Sequence, residues 1–327
     1  MVSRKLLSFA AKNYGFKKST LQFISGSTNQ IYSFQKNDKR YILRFSERPA
    51  EQTRQVKAEM DWLYYLAKNG VGVSLPLPAD KGELVLSIEY KGKSYIISAF
   101  EALSGKFWDK NHPDLWNEKI FFNWGRVMGD IHSLTKSYRP ANENDVRDAF
   151  TGHNALFLDK IEPCPTVHKI AVDLIDEIMA LPKDTDSYGL IHYDIHPWNF
   201  IIEGEKIKVF DFDDSVYGWF ALDIGIALYH GLWWGRENDA GHDFTNEMIE
   251  SFLRGYLSVN PLSDFWLSKL PMFMKYRQIC KFSWFYDPGH EDDNQKERIR
   301  NIENDILFTD CEINQDLFEN IGGYFCE

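Results

Sequence analysis

The hydrophobic pattern of this chain of 327 residues changes near residue 105. Before that point, short runs alternate apolar and polar residues, which is the period of a half-buried strand. After it, apolar residues recur every three or four positions, which is the period of an amphipathic helix. The sequence therefore predicts an α+β fold of two lobes, in which the N-terminal lobe carries the main sheet and the C-terminal lobe is mostly helical.

The N-terminal lobe, residues 1–103, is predicted to hold five antiparallel strands and one inserted helix after an amphipathic first helix. The strand-like runs are rich in Ile, Phe and Tyr and occupy residues 21–25, 30–35, 40–45, 83–90 and 93–100. Lys91-Gly92 predicts a tight turn between the last two runs. A helical pattern from Pro49 to Lys68 separates the third run from the fourth.

The C-terminal lobe, residues 104–327, is predicted to consist of long helices with a single interruption. The helical patterns cover residues 117–135, 166–181, 221–235, 244–257, 264–285 and 294–320. The interruption, at 189–211, has short apolar runs that predict a small buried hairpin. The hinge-like sequence FEALSG at 100–105 marks the expected boundary between the lobes.

The distribution of charge and apolar residues excludes two classes of partner. Residues 1–105 contain 16 Lys and Arg against 9 Asp and Glu, whereas the remainder contains 21 against 39. An acidic C-terminal lobe repels nucleic acid and attracts cations, so no nucleic-acid partner is expected. No apolar run has the length of a membrane span, so no membrane partner is expected. The short apolar stretch near the N-terminus is followed by Lys12 and has no cleavage site, so no signal peptide is expected.

The cysteines are far apart in the sequence and include no C-x-x-C pair. This spacing argues against both a disulfide framework and a zinc site, and it favours a reducing cytoplasm. The four residues are Cys164, Cys280, Cys311 and Cys326.

The segment from His192 to Asp211 contains the residues with the clearest chemical potential. Asp194 and Asn199 lie five residues apart on one loop, and Asp211 ends an apolar strand twelve residues after Asn199. Phosphoryl transfer needs a carboxylate to orient the attacking hydroxyl, and it needs oxygen ligands that hold magnesium against the phosphates. The pattern H-x-D-x-x-x-x-N followed by such an aspartate therefore predicts a magnesium-dependent kinase.

The segment IHYDIHPWNFIIEGEKIKVFDFDDSVYGWFALDIGIALYH resembles the core of the aminoglycoside phosphotransferase and choline kinase family. That family comprises small-molecule kinases with a protein-kinase-like fold, among them type II homoserine kinases. The resemblance implies that Asp194 is the catalytic carboxylate and that Asn199 and Asp211 are magnesium ligands. It also implies that His192 and Asp223 brace the catalytic loop through hydrogen bonds.

The resemblance implies an ATP site in the N-terminal lobe as well. The loop Ser25-Gly26-Ser27-Thr28 would cover the phosphates, and backbone groups from Glu101 to Leu103 would hold the adenine. Arg44 stands where the family usually has a phosphate-binding lysine, and Glu59 would pair with it, with Glu51 or Glu47 as alternative partners. Two further departures from the family pattern, Tyr193 and Trp198, bear on the acceptor and the rate.

Some assignments stay open between functional and structural roles. Asp213 or Asp214 is expected to stand near the metal, whereas His132 and His196 are expected to make ordinary hydrogen bonds. Most tryptophans of the acidic lobe are expected in the core, while one or two would hold a cationic amine by cation–π contact. These tryptophans are Trp219, Trp233, Trp234, Trp266 and Trp284.

The predicted function is phosphorylation of a hydroxyl on a small acceptor that is expected to be cationic, such as an aminoglycoside, homoserine or choline. Two alternatives compete with it. A protein Ser/Thr kinase is disfavoured because only 12 residues separate Asp211 from Asp223 and no A-P-E-like sequence follows. A catalytically silent nucleotide-binding protein is disfavoured because Asp194, Asn199, Asp211 and a cation at position 44 are all present.

Overall fold

The computed structural model describes residues 2–109, 111–237, 241–286 and 293–308. The part of the predicted last helix beyond residue 308, together with Cys311 and Cys326, lies outside these ranges. In chain order the elements are α1 (Arg4–Tyr14), β1 (Gln22–Gly26), β2 (Gln30–Lys36), β3 (Lys39–Glu47), α2 (Thr53–Lys68), β4 (Val85–Tyr90), β5 (Lys93–Glu101), α3 (Glu118–Thr135), α4 (Leu158–Ile161), α5 (Pro165–Met179), β6 (Tyr188–Ile191), β7 (Phe200–Glu203), β8 (Lys206–Val209), β9 (Val216–Trp219), α6 (Phe220–Glu237), α7 (Gly241–Leu257), α8 (Asp264–Ser268), α9 (Leu270–Phe285) and α10 (Asp293–Phe308).

The chain divides into two compact units. The first, here called the sheet unit, comprises Met1–Lys106, Ser137–Asp148 and Ile201–Asp213. The second, here called the helical unit, comprises Phe107–Lys136, Ala149–Phe200 and Asp214–Glu327. The segments Ser137–Asp148 and Ile201–Asp213 thus belong to the sheet unit, although they follow residue 104 in the chain. The predicted division into domains 1–103 and 104–327 stays a prediction.

The sheet unit contains one five-stranded antiparallel sheet with the strand order β1-β2-β3-β5-β4. Two-residue turns close two of its hairpins: Asn37 and Asp38, with φ of 51° and 60°, join β2 to β3, and Lys91 and Gly92, with φ of 54° and 74°, join β4 to β5. Left-handed conformation at both central residues matches the right-handed twist of the strands. The predicted five strands and the predicted turn at Lys91-Gly92 are confirmed.

One face of this sheet is covered by α1, whose apolar side chains recur at helical spacing. Leu6, Ala10 and Tyr14 are buried together with Phe34 of β2 and Ile97 of β5. Burying such side chains is the main favourable contribution to folding, at about 25 cal/mol for each Å² of apolar surface. The packing of α1 thereby stabilises the central strands.

The small hairpin of β7 and β8 also belongs to the sheet unit. The amide of Val209 donates to the carbonyl of Gly72 at 2.9 Å, and the amide of Ser74 donates to the carbonyl of Val209 at 3.2 Å. These bonds fix the end of β8, which leads directly to Asp211. The position of Asp211 within the sheet unit follows from them.

Two helix pairs dominate the helical unit. The helices α3 and α7 approach closely because glycine stands at their contact: a Cβ atom on Gly125 would lie 1.8 Å from the carbonyl oxygen of Phe252, and one on Gly255 would lie 1.9 Å from that of Phe122. The helix α6 packs against α9 and is buried along most of its length. Within the described ranges, no helix is both long enough and apolar enough to cross a membrane.

Two predictions about local structure are wrong in detail. The helix predicted at 264–285 is broken into α8 and α9 at Lys269, because Pro271 lacks an amide hydrogen and belongs to the first turn of a new helix. The predicted hairpin at 189–211 contains only β7 and β8. Its first apolar run, β6, pairs instead with β9, a later strand that the hydrophobic pattern did not reveal.

Candidate active site

The loop after β6 holds Tyr193 in a left-handed conformation, with a φ of 71°. This conformation is strained for a residue with a bulky side chain and persists only where the surroundings impose it. The buried carboxylate of Asp223, in the first turn of α6, accepts hydrogen bonds from the amides of His192 at 3.0 Å and Tyr193 at 2.9 Å. Asp223 therefore fixes the backbone of the loop that leads to Asp194.

Asp223 is itself held by a buried histidine. Nε2 of His132 lies 3.1 Å from Oδ2 of Asp223, and Nδ1 of His132 lies 2.9 Å from the hydroxyl of Tyr256. His132 thus makes core hydrogen bonds, as predicted. Nδ1 of His192 in turn accepts a hydrogen bond from the amide of Asp194 at 3.2 Å. The bonds of His192 and Asp223 are present, and their bracing role in catalysis stays a prediction.

The carboxylate of Asp194 has three partners in the helical unit. Its Oδ1 accepts a hydrogen bond from the guanidinium of Arg277, and its Oδ2 accepts one from Nδ2 of Asn199 at 2.9 Å. Nε2 of His196 lies 3.3 Å from the same Oδ2. Burial favours the neutral acid, but His196 and Arg277 outweigh that effect and hold the pKa of Asp194 well below its usual range. Asp194 is therefore an ionised carboxylate at neutral pH.

Asn199 is oriented by the same carboxylate. Its Nδ2 also donates to the backbone carbonyl of Asp194 at 3.0 Å, and its backbone amide donates to the carbonyl of His196 at 2.8 Å. Because the amide nitrogen is committed to Asp194, the amide oxygen is the atom that Asn199 can offer to a cation. Oxygen ligands of this kind suit magnesium.

Arg277 and His230 are functional candidates that the sequence analysis missed. Arg277 lies on α9, and its Nε donates to Nε2 of His230 on α6 at 2.9 Å. Burial and the neighbouring charge of Arg277 hold the pKa of His230 well below its ordinary value, so the imidazole is neutral and accepts this bond. The sequence carries little signal for Arg277, because it is one of three basic residues on α9, with Lys275 and Lys281.

Two of the five tryptophans for which the sequence left open a core role or a cation–π role contact cations of the protein itself. The guanidinium of Arg277 lies 4.5 Å from the ring centre of Trp284, and Nζ of Lys281 lies 2.9 Å from that of Trp233. These faces are therefore occupied by side chains of α9. The other three are buried, as the core interpretation predicts: Trp219, Trp234 and Trp266.

The sheet unit contains a second cluster, centred on Arg44 of β3. Its two terminal nitrogens donate to the two carboxylate oxygens of Glu59 on α2, at 3.0 and 2.5 Å, and both side chains are buried. Burial disfavours the charged guanidinium, but Glu59 and Asp213 outweigh this and raise the pKa of Arg44. The predicted pair of Arg44 with Glu59 is thus present. The alternative Glu47 pairs with Lys93 at 2.6 Å.

Asp213 connects three parts of the sheet unit. It accepts a two-pronged bond from Arg48, which follows β3, and its Oδ2 accepts from Nδ2 of Asn29 at 2.9 Å. NH1 of Arg44 lies 3.5 Å from Oδ1. Burial would raise the pKa of Asp213, but Arg44 and Arg48 outweigh it and hold that pKa well below its usual range. Its oxygens thus take part in ion pairs and a hydrogen bond, and the expected place of Asp213 or Asp214 near the metal stays a prediction.

Asp211 also has an unusual backbone, with a φ of 64°, and its side chain is exposed. Phe212, the next residue, packs edge-on against Trp62 with ring centres 5.2 Å apart, which anchors the segment in the core. Asp211 belongs to the sheet unit, whereas Asp194 and Asn199 belong to the helical unit. The convergence of these three side chains on one ion stays a prediction.

The predicted nucleotide loop lies between β1 and β2. Gly26 pairs with Gln30 across the hairpin, and a Cβ atom at Gly26 would lie 2.6 Å from Nε2 of Gln30, so a larger residue would displace the end of that side chain. Ser27 and Thr28 form the connection, and Ser25 pairs with Ile31. Asn29 ties this loop to Asp213, a link that no sequence motif indicated.

Two residues of the predicted adenine-binding backbone, Glu101 and Ala102, already make hydrogen bonds within the protein. The amide of Glu101 donates to the carbonyl of Leu75 at 2.7 Å, and the amide of Ala102 donates to the carbonyl of Arg40 at 3.2 Å. The carbonyl of Glu101 accepts from Oγ of Ser74 at 2.6 Å. Among the described residues, Leu103 is the member of the predicted hinge whose backbone makes no such bond. Adenine binding by the backbone from Glu101 to Leu103 stays a prediction.

The side chains around Asp194 and Asp211 also bear on metal binding. Within the described part of the chain, no three His, Cys, Asp or Glu side chains gather in a cluster that could hold an ion. Magnesium characteristically binds through one or two protein oxygens together with phosphate oxygens and water. The amide oxygen of Asn199 and the exposed carboxylate of Asp211 are each oxygen donors of the kind that magnesium takes, and their role as its ligands stays a prediction.

Comparison with known proteins agrees with the geometry of the loop. The phosphotransferase enzyme family (APH) matches residues 20–265. The chain belongs to this family. It is therefore a kinase, and the resemblance inferred from the segment 191–230 is confirmed.

Two amicoumacin kinases and one further solved structure illustrate what this chain is similar to. The amicoumacin kinase of Bacillus subtilis (strain 168) is 34% identical over 309 residues, which cover 92% of this chain and 91% of the relative. A solved structure of the amicoumacin kinase hAmiN in complex with AMP-PNP, Ca²⁺ and Ami superposes with a TM-score of 0.86 at 26% identity, covering 94% of this chain and 93% of that one. A microcompartment-associated aminopropanol kinase superposes with a TM-score of 0.75 at 20% identity, covering 98% and 99%, which shows a shared fold.

Proposed function

We propose that this kinase transfers the γ-phosphoryl group of ATP to a hydroxyl of an amine-bearing small molecule. The observation that carries the proposal is the environment of Asp194. Its carboxylate is kept ionised by Arg277 and His196, and it is hydrogen-bonded to Asn199, five residues later on the same loop. A fixed carboxylate beside an amide ligand is the arrangement that phosphoryl transfer to an alcohol requires.

In this mechanism Asp194 orients the acceptor. Its carboxylate accepts a hydrogen bond from the acceptor hydroxyl and turns the oxygen lone pair toward the phosphorus atom. Because its pKa is well below the ordinary value, Asp194 is a weak base, so its main contribution is orientation. The proton passes to Asp194 only as the new oxygen–phosphorus bond forms and the hydroxyl becomes strongly acidic.

Asn199 and Asp211 would hold magnesium through their side-chain oxygens. The ion, when bound, neutralises charge that develops on the transferred phosphate. The left-handed backbone of Asp211 and the hydrogen bonds from Nδ2 of Asn199 support this assignment, because both features fix the direction of an oxygen ligand.

The nucleotide would bind within the sheet unit. The residues Ser25 to Thr28 cover the phosphates with backbone amides, and Leu103 hydrogen-bonds the adenine through its backbone. Arg44 contributes positive charge to the phosphate site while Glu59 fixes its orientation. The solved amicoumacin kinase complex contains AMP-PNP and Ca²⁺, which supports the expectation of a nucleotide with a divalent ion.

The acceptor is proposed from the relatives. Their names specify amicoumacin and aminopropanol as substrates of those proteins. An aminoglycoside, homoserine and a choline-like alcohol are the other acceptors that the family pattern allows. An amine on the acceptor agrees with the acidic character of residues 106–327, which contain 39 Asp and Glu against 21 Lys and Arg.

The test is a coupled assay of ATP consumption with Mg²⁺ and a panel containing amicoumacin, 1-amino-2-propanol, homoserine, choline and an aminoglycoside. We expect one acceptor class to raise ATP consumption well above the rate without acceptor, and Asp194→Asn to abolish the increase. Asp173→Asn is the matched control, because its pair with Lys169 is exposed on α5 and contributes little. Equal activity of the Asp194→Asn variant and the wild type would refute the assignment.

A further inference from the structure

The segment Ser137–Asp148 lies between α3 and α4 in the chain but belongs to the sheet unit, where it contacts α2. The carboxylate of Asp61 accepts a hydrogen bond from the hydroxyl of Tyr138 at 2.6 Å. Nearer the N-terminus of α2, a guanidinium nitrogen of Arg54 donates to the carbonyl of Val146 at 2.9 Å. The segment is thus attached to α2 at two points along the helix.

Arg147 is a buried cation in this segment, whose residues are mostly exposed or half-buried. One terminal nitrogen of its guanidinium donates to the carbonyl of Gln55, in the first turn of α2, at 3.2 Å. The other donates to the carbonyl of Asp213 at 2.5 Å. Because Asp213 comes two residues after Asp211, Arg147 joins the main chain of α2 to the main chain that follows Asp211.

The bond from Arg147 to the carbonyl of Asp213 belongs to a strong class of hydrogen bond. Bonds from an ionised donor are shorter than neutral ones and roughly twice as strong. A buried guanidinium that lost its acceptors would also remain in the protein interior as an uncompensated charge, which is strongly unfavourable. The main chain at Asp213 is therefore held firmly in place.

Asp211 depends on its neighbours for its conformation. Its left-handed backbone is strained for a residue other than glycine, and such strain persists only where the surroundings impose it. On one side, Val209 is fixed by its main-chain bonds at the end of β8. On the other side, Phe212 is buried and Arg147 holds the carbonyl of Asp213. The chain is thus fixed on both sides of Asp211, while its own side chain is exposed.

Support of α2 accounts for only one of these two bonds of Arg147. The segment is already attached to that helix through Arg54 and Asp61, and the bond from Arg147 to Gln55 adds to this attachment. The shorter bond of Arg147 goes instead to the chain beside Asp211. Arg147 therefore has a connection to the predicted metal ligand that Arg54 lacks.

We propose that Arg147 is a positioning residue for the divalent ion that accompanies ATP. By holding the carbonyl of Asp213, it keeps the backbone of Asp211 left-handed and so directs the Asp211 carboxylate toward the ion. The inference rests on the proposed function, because it takes Asp211 as a ligand of that ion. Arg147 itself touches neither the ion nor the nucleotide and acts only through the main chain.

The test measures binding of AMP-PNP by calorimetry over a series of Mg²⁺ concentrations and, separately, in EDTA. Arg147→Met removes both hydrogen bonds and keeps an unbranched side chain. We expect the Mg²⁺ concentration that gives half of the gain in AMP-PNP affinity to rise about 10-fold, as is usual when a metal ligand loses a supporting partner. Affinity in EDTA is expected to equal that of the wild type. A folded Arg147→Met variant with the Mg²⁺ dependence of the wild type overturns the inference.

Arg54→Gln is the matched control. Arg54 binds the same segment, through the carbonyl of Val146 and the carboxylate of Asp148, so its loss loosens the segment without touching Asp213. We expect this variant to keep the Mg²⁺ dependence of the wild type. An equal shift in Arg54→Gln and Arg147→Met would trace the effect to loosened packing of the segment and overturn the inference.

Arg147→Lys covers the case in which Arg147→Met does not fold, as judged by its melting temperature. Lysine keeps the charge but replaces the two-pronged contact by a single nitrogen. We expect the required Mg²⁺ concentration to rise in this variant as well. If Arg147→Lys is the folded variant and shows no rise, the inference is overturned.

A double substitution shows whether the effect passes through Asp211. Asp211→Asn alone is expected to remove most of the gain in AMP-PNP affinity that Mg²⁺ provides. Adding Arg147→Met to Asp211→Asn should change the remaining Mg²⁺ dependence no further, because both substitutions act on the same ligand. A further loss in the double variant would mean that Arg147 acts by another route, and the inference would be wrong.

The proposed function is judged by different results. If Mg²⁺ raises the AMP-PNP affinity of the wild type and Asp211→Asn removes that rise, the assignment of Asp211 stands whatever Arg147→Met does. If Asp211→Asn keeps the full rise, Asp211 is not a ligand, and both the assignment and the inference drawn from it fail.

Discussion

The guanidinium of Arg277 donates one hydrogen bond to the carboxylate of Asp194 and another to the imidazole of His230. The side chain of Arg277 is almost wholly buried, and that of Asp194 is 18% exposed. A buried guanidinium with a carboxylate partner stays fixed, because separating the pair would leave a charge without compensation. Through this contact α9 contributes to the direction of Asp194 and, together with His196, keeps the carboxylate ionised.

Replacing Arg277 with glutamine is expected to lower kcat about 10- to 100-fold, since Asp194 loses the group that orients it. It also removes a cause of the low pKa of Asp194, so that pKa rises. The rate requires the ionised carboxylate, so activity falls as pH drops through this pKa. The acid limb of the pH profile of kcat is therefore expected at higher pH in the variant than in the wild type.

Arg254→Gln is the control for this experiment. Arg254 lies on α7 and is 3.6 Å from Glu118, with both side chains exposed, so its loss leaves the pH profile unchanged. An Arg277→Gln variant that lost kcat with the same acid limb as the wild type would contradict the assigned effect on Asp194.

Substitution of Asp194 and of Asp211 should affect different steps. Asp194→Asn retains the size of the side chain, so we expect turnover to fall by about 10³-fold or more while the stabilisation by Mg-ATP persists. Asp211→Asn is expected to remove most of that stabilisation, because a ligand of the ion that accompanies ATP is lost. Thermal unfolding with and without Mg-ATP measures both, and equal loss of nucleotide stabilisation in the two variants would contradict the separate roles.

The sequence predicted local structure well wherever hydrophobic period and turn chemistry agreed. The five strands and the turn at Lys91-Gly92 follow from alternation and from a dipeptide suited to left-handed conformation. The pairing of β6 with β9 did not follow, because both strands are short and their partners are set by packing beneath α6. The pair of Arg44 with Glu59 could be predicted from the sequence, because it joins a strand to the helix that follows it in the chain.

The contacts of Asp194 and Asp213 show where sequence reasoning ends. Arg277 lies 83 residues after Asp194, and Arg48 lies 165 residues before Asp213, so no local pattern links the partners. A sequence motif identifies each carboxylate. The arginine that pairs with it depends on which helix or strand packs against that carboxylate in the folded chain, and this is not visible in the sequence.

Arg44→Met is expected to destabilise the protein by about 3–5 kcal/mol, because Glu59 would remain buried as an unpaired charge. Arg44→Lys restores the residue usual in the family and keeps the charge, but it replaces a two-pronged contact by one. We therefore expect a smaller loss, of about 1–2 kcal/mol. Urea unfolding measures both values, and a variant Arg44→Lys as unstable as Arg44→Met would show that charge is not the dominant contribution.

The stability of the protein in acid should depend on Asp213. Its pKa in the folded state is held below the unfolded value by Arg44 and Arg48. Its ion pairs therefore contribute fully above the unfolded pKa of about 3.9, and the contribution is lost as pH falls from there toward the folded pKa. Asp213→Asn removes this dependence, so the difference in unfolding free energy between wild type and variant should be largest near neutral pH and shrink below about pH 4. Asp173→Asn, whose carboxylate is exposed, should show no such narrowing in urea titrations across the same pH range, and a constant difference for Asp213→Asn would contradict the linkage.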